Sequence, residues 1–266
     1  MSGFSAQWLA MREPYDQAAR NGSLLDALAV TFASASSVTV TDLGCGTGAT
    51  MRAISPCLPL RQSWRLVDND EVLLAAARKM APAGTSVTTI AIDLARNVEE
   101  ACGACDLLAT SALLDLVSAA WLDRLVASLV QLSRPFYAAL NYDGAVVLRP
   151  ETPHDAAVIA AVNRHQRTDK GFGPALGPDA AQAAAERFRR IGFAVLEGRS
   201  DWRLGADDRD IQFEMLDGWA GAVGEIGVDP SVVEEWRCER RDHVTAGHSH
   251  MQIGHVDFFA MPIGRR

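Results

Sequence analysis

Val38 and Val40 alternate with Thr39 and Thr41, after which the chain runs through Asp42-Leu43-Gly44-Cys45-Gly46-Thr47-Gly48 into residues that suit a helix as far as Ile54. Period-two alternation predicts a short buried strand, followed here by a glycine turn and a helix start. Upstream, Trp8, Leu9, Met11, Tyr15 and Ala18 recur in a rough helical rhythm despite Pro14, with Arg12, Asp16 and Arg20 between them, and 24–30 predicts a second helix. Downstream, strands are expected at 63–68, 87–92, 106–110 and 136–140, with a further apolar piece at 145–148. An alanine-rich stretch reaching Met80 and a segment containing Trp121 and Leu125 read as helices between them. Residues 149–178 are polar without sheet character, and they include His154, Asn163, Arg164, His165, Asp169 and Lys170. A helix over 180–191 is stopped by Gly192 and followed by a strand at 193–197. Helices at about 211–223 and 229–245, the latter capped by Asp229 with Pro230 in its first turn, precede a last strand at 254–261.

The glycine turn carries the chemistry. Three glycines at alternate positions let the backbone pass close to a ligand and supply positive φ, and the helix start behind them leaves free N–H groups. Gly44-x-Gly46-x-x-Ala49, with Asp68 about twenty residues on, also satisfies the fingerprint of NAD(P) enzymes. Asp42, two residues before the first glycine, favours a different ligand: a carboxylate repels a pyrophosphate and attracts the α-ammonium and sulfonium of S-adenosylmethionine.

As it stands, Asp42-Leu43-Gly44-Cys45-Gly46-Thr47-Gly48 resembles the first motif of the class I S-adenosylmethionine-dependent methyltransferases. The resemblance covers about 38–148 and again 180–261. It implies an α/β, Rossmann-like, doubly wound seven-stranded sheet, mostly parallel with an antiparallel last strand, plus an N-terminal helix and helical cap insertions. It places the cofactor on Asp42, Gly44, Cys45, Gly46 and Gly48, with Asp68 and the adjacent Asn69 at the ribose, Asp93 and Leu94 at the adenine, and Ser111 nearby. Asp70 has a competing task as a helix cap, and Asp93 could instead be a turn carboxylate. In such proteins a leading helix often closes over the cofactor, which would bring Tyr15 and Arg20 to the methionine carboxylate. Packing of Tyr15 and Trp8 on the sheet, with Arg20 solvated, is the alternative. One domain over 1–266 is expected: helices at 1–36, a cofactor core at 37–148, an acceptor cap at 149–178, and the second half of the sheet at 180–266 with a helical insertion at 211–245. That insertion departs from the usual compact hairpin of the superfamily.

Composition narrows the acceptor. A length of 266 residues with 48% hydrophobic content supports one sizeable core, and a net charge of −8 with pI near 5.2 argues against a large basic face for nucleic acid or membrane. Neither the Asn/Asp-Pro-Pro-aromatic motif of nucleic-acid amino-methyltransferases nor a Pro-Cys pair stands at Thr110-Ser111-Ala112-Leu113. No run is long and apolar enough for a membrane span, and the N-terminus lacks the regions of a secretory signal, so a cytoplasmic monomer or homodimer is expected. Five cysteines without framework spacing fit reduced thiols, and neither Cys102-x-x-Cys105 nor His243, His248, His250 and His255 follow a standard metal pattern.

The reading is therefore methyl transfer from S-adenosylmethionine, giving S-adenosylhomocysteine, to the O or N of a small molecule. A sulfonium methyl is already activated, so alignment of the acceptor and uptake of its proton remain to the protein. Proton acceptors are sought among His165, Asp169, Tyr142 and His154, with His165 first because imidazole titrates near neutrality. A non-catalytic or non-methylating S-adenosylmethionine-binding protein is the second class, and an NAD(P)-dependent oxidoreductase the third.

Overall fold

The computed structural model describes residues 4–263. Two helices, α1 (Ala6–Ala19) and α2 (Gly22–Phe32), lead into β1 (Val38–Leu43), α3 (Ala49–Ile54), β2 (Gln62–Asp68), α4 (Glu71–Lys79), β3 (Ser86–Ala91), α5 (Leu94–Cys102) and β4 (Leu107–Ser111). Then follow α6 (Ala119–Leu132), β5 (Phe136–Arg149), α7 (Asp155–His165), α8 (Ala180–Arg190), β6 (Phe193–Arg199), β7 (Trp202–Leu204), α9 (Arg209–Glu225), α10 (Pro230–Thr245) and β8 (His250–Pro262). The strands form one sheet in the order β3-β2-β1-β4-β5-β8-β6. Strands β1 to β5 pair in parallel, while β8 is antiparallel to both β5 and β6.

Alternation along the strands divides the core between the two faces of the sheet. Leu43, Val67, Leu108, Phe136 and Phe258 pack against α5, α6 and α8 on one face. Val40, Trp64, Leu66, Leu107, Tyr137 and Phe259 pack against α2, α3 and α4 on the other. A third cluster joins α7, α9 and α10 through Val158, Val162, Trp219 and Trp236 to Leu148, Trp202 and Ile253, where β5 and β8 run on beyond the main sheet.

Two sequence expectations change. The sheet has eight strands rather than seven, because β8 starts at His250 and its first residues pair with the short β7. The apolar pieces at 136–140 and 145–148 are one continuous strand, β5, kept whole by register shifts against β8 between Ala138 and Asn141 and between Tyr142 and Val146. Within the polar 149–178 segment, α7 buries Val158, Ala161 and Val162 against the insertion, an apolar stripe too narrow to stand out among its charges. Asp155 opens α7 by accepting from Thr152 N (2.8 Å) and Thr152 Oγ1 (2.9 Å), and it also takes Trp236 Nε1 (2.9 Å) and the buried Arg240 guanidinium of α10.

Candidate functional site

A cavity of about 660 Å³ opens at the carboxyl ends of β1, β2, β3 and β4, where an open parallel sheet places its ligands. Its floor is the turn after β1. Gly44, Gly46 and Gly48 all have positive φ (64°, 50° and 83°), and a Cβ on Gly46 would stand 3.0 Å from Leu9 Cδ1 of α1. The turn is therefore closed to side chains by conformation and by the helix above it. Sheet order sets Asp68, Asn69, Asp93 and Leu94, at the ends of β2 and β3, on one side of the turn, and Ser111, Ala112 and Leu113, after β4, on the other.

Asp68 Oδ2 accepts from Gly46 N at 2.9 Å and its Oδ1 from Asp70 N at 3.1 Å, so this carboxylate shapes the glycine turn while facing the cavity. A carboxylate has about four lone-pair sites, which leaves two for a ligand. Asp70 caps α4 through Val72 N and Leu73 N, and Asp93 caps α5 through Ala95 N at 3.0 Å. Both also lie on the wall.

Asp42 lies beneath the turn, inside β1 between β2 and β4. It is fully buried, and neither carboxylate oxygen has a hydrogen-bond partner. Burial pushes its carboxyl up to about 8, against the opposing pull of Arg20 and Thr50. Arg20, at the end of α1, is also buried. It donates to Ser111 Oγ (2.9 Å) and Tyr137 Oη (3.3 Å), and its Nε has no partner. Burial opposes its charge, but Tyr137 and Asp257 hold its pKa above the ordinary value. A partly unpaired guanidinium on the wall and an unpartnered buried carboxyl beneath the floor fit a ligand carrying both a carboxylate and an ammonium. Ala112, on the wall, adopts φ 51° without being glycine, a strained conformation of the kind that gathers at functional sites.

Helix α1 roofs the cavity with Leu9, Arg12 and Asp16. It is held down by acids: its buried residues are Glu13 and Asp16. Glu13 receives Arg52 Nε and Nη2 of α3, both at 2.6 Å, and Arg52 Nη1 donates to Thr47 O at 2.6 Å. Asp16 takes Arg12 (2.9 and 3.2 Å) and Trp202 Nε1 (3.0 Å), while the Arg12 guanidinium lies 5.1 Å from the Trp202 ring centre.

Gly44, Cys45, Gly46, Asp68, Asn69, Asp93, Leu94, Ser111 and Arg20 thus line the cavity, and Asp42 and Gly48 support it from below and behind. Five expected residues stand elsewhere, among them His154, whose Nε2 lies 3.5 Å from Glu235 Oε2. Tyr15 donates to Asp208 Oδ1 at 2.8 Å and packs on Trp202; burial and then Asp208 push its phenol up to about 12. Tyr142 donates to Asn163 Oδ1 at 2.8 Å, and burial holds it above the ordinary phenol range. His165 Nε2 meets Glu225 Oε2 at 2.9 Å. Asp169 accepts from Gly171 N (2.6 Å) and Gly173 N (3.0 Å) and folds its own loop. What that loop delivers to the wall is Lys170, which the sequence marks only as one of the polar residues of 149–178, with Gly171 and Phe172. Arg12 and Asp16 were also missed, although their i, i+4 spacing signals a pair. Cys102 and Cys105 are buried, and burial pushes both thiols up, so they are poor nucleophiles.

Residues 40–135 match the family described as "Methyltransferase domain". No curated protein matches the chain. Among solved structures, a cyclopropane-fatty-acyl-phospholipid synthase-like protein from Lactobacillus casei ATCC 334 is 11% identical with a TM-score of 0.56, the match covering 97% of this chain and 95% of that one. The YcgJ protein from Bacillus subtilis is 14% identical with a TM-score of 0.51, covering 92% and 100%. At these identities the likeness is one of fold.

Proposed function

We propose that this protein, whose residues 40–135 match the methyltransferase-domain family, is a class I S-adenosylmethionine-dependent methyltransferase that methylates the oxygen or nitrogen of a small molecule. The cofactor, S-adenosylmethionine, supplies a methyl group activated on a sulfonium. In this reading Asp42 holds its ammonium, Arg20 and Ser111 its carboxylate, Asp68 the ribose diol, and Asp93 with the Leu94 N–H the adenine edge. The observation that carries the assignment is the buried, partnerless Asp42 beneath three left-handed glycines. An ammonium gives that buried acid the hydrogen-bond partner it lacks and favours its ionised form, whereas a pyrophosphate at that turn would oppose its ionisation. The acidic balance of −8 supports a small acceptor over a polyanion.

Calorimetry with S-adenosylhomocysteine and with NADPH tests the reading. Micromolar-scale binding of the first and none of the second is expected, and Asp68→Ala should weaken binding roughly 10- to 150-fold, the worth of one charge-assisted hydrogen bond. Unchanged affinity in Asp68→Ala, with circular dichroism intact, removes Asp68 from the ribose; NADPH binding instead returns the oxidoreductase. The displacement of His165, Asp169 and Tyr142 from the wall is the observation that keeps a binding protein without methyl transfer as second reading. Labelled cofactor decides that point: label in the small-molecule fraction of an extract supports transfer, and label in no fraction supports the binder.

A further inference from the structure

Residues 169–175 form a tight loop beside the carboxyl end of β4. Asp169 takes two of the loop's own N–H groups, Gly171 and Gly173 supply φ of 96° and 84°, and bridges join Asp169 to Pro174 and Ala175 to Ser118. The loop puts Lys170, Gly171 and Phe172 on the cavity wall with Leu113 and Leu116. Phe172 is fixed edge-on against Trp121, with ring centres 5.7 Å apart. Lys170 Nζ lies 3.2 Å from Nδ1 and 3.3 Å from Nε2 of His165, and His165 is held from behind by Glu225 of α9.

The other cations of the wall are engaged: Arg12 with Asp16, and Arg20 with Ser111 and Tyr137. Among the described residues Lys170 makes no ion pair of its own; its Nζ rests on the His165 ring, and Leu113, Leu116 and Phe172 lie on the same cavity wall. Resting on the methyltransferase reading, we propose that Lys170 is the residue that meets the acceptor, and that the acceptor is a small flat molecule with an apolar body and one acidic hydroxyl, a phenol or enol. The apolar body lies against Phe172, Leu113 and Leu116, and the hydroxyl points at Nζ. Burial lowers the Lys170 pKa, opposed by Glu225, which increases the share of free amine able to accept a proton. The acceptor oxygen forms its bond to the methyl carbon, the pair of the breaking C–S bond stays on sulfur, and the hydroxyl proton passes to Nζ and on to His165 or solvent. The inference also gives the insertion an indirect part: Glu225 of α9 contacts the imidazole that Lys170 rests on.

p-Nitrophenol serves as the probe, because its phenolate absorbs visibly and its methyl ether does not. Titrated into the full chain saturated with S-adenosylhomocysteine, the bound phenol is expected to hold about tenfold more phenolate than free phenol at equal pH, the effect of one nearby cation. Lys170→Met should lose that excess while binding S-adenosylhomocysteine as wild type does; Lys170→Arg should keep it, since the charge remains. With labelled S-adenosylmethionine, transfer to p-nitrophenol should drop roughly tenfold in Lys170→Met, which loses the excess phenolate, and should persist in Lys170→Arg, which keeps it. No spectral change in wild type, or the same change in Lys170→Met, overturns the proposal. Failure of wild type to bind S-adenosylhomocysteine in the same sample fails the methyltransferase reading instead.

Discussion

Asp42 has the acidity of a thiol rather than a carboxylic acid, and the consequences are measurable in two ways. Its folded pKa of about 8 exceeds the unfolded value of 3.8, so the folded chain keeps a proton that the unfolded chain gives up. Its contribution to stability is therefore complete below about pH 4 and is lost as pH rises through about 8. The melting temperature should fall across that window, and Asp42→Asn should flatten the slope. An ammonium placed beside Asp42 reverses the bias, so near pH 7 ligand binding should release a proton. Calorimetry in buffers of different ionisation enthalpy reads this directly, and Asp42→Asn should abolish the buffer dependence. A buffer-independent enthalpy in wild type would mean that the ammonium goes elsewhere. The residues at this end of the site were legible in the sequence because they belong to one local motif and to the last positions of neighbouring strands. The places of Lys170 and Phe172 were not, since they depend on a loop that Asp169 folds and on the distant Ser118 and Glu225.

Among the elements, α7 and α10 show how the insertion is fastened to the cap. Arg240 is fully buried, and Asp155 is its charge partner as well as the acceptor for Trp236 and Thr152. Asp155→Ala would leave a buried guanidinium uncompensated, a change that costs about 3–5 kcal/mol. The melting temperature should drop accordingly, by more than for Glu234→Ala, whose pair with Arg237 is exposed on the same helix. Cofactor affinity should persist, because neither residue lies on the cavity wall. Equal losses in the two variants would show that the Asp155 cluster is no more than a surface contact. Helices and strands of the core were readable from periodicity because each has one apolar face against the sheet. The second half of β5 and the short β7 were not: both pair only with β8, which arrives about a hundred and about fifty residues later, and no local pattern encodes such a partner.

At the scale of the molecule, the chain's first helix is its last piece of the site. The parallel half of the sheet brings the glycine turn and the strand ends together, the loop at 170–172 adds to the wall, and α1 is laid across the opening by Glu13–Arg52, Tyr15–Asp208 and Asp16–Trp202. Those ties connect α1 to α3, to the residue before α9 and to β7, so the roof is fixed by both halves of the fold at once. What covers a reaction also times it. In the proposed reaction each turnover needs spent cofactor out and fresh cofactor in, and the route past the glycine turn leads under α1, so exchange rather than methyl transfer is expected to set the pace. The chain carries a clock for that exchange: Trp8 rides on the roof and Trp202 stays with the sheet, their ring centres 6.5 Å apart. Stopped-flow mixing with S-adenosylhomocysteine should change tryptophan emission as the two rings part and rejoin, at a rate that Glu13→Ala accelerates. Trp8→Phe should silence most of the signal while leaving the affinity in place, and a wild-type trace that stays flat through saturation would mean the roof never lifts.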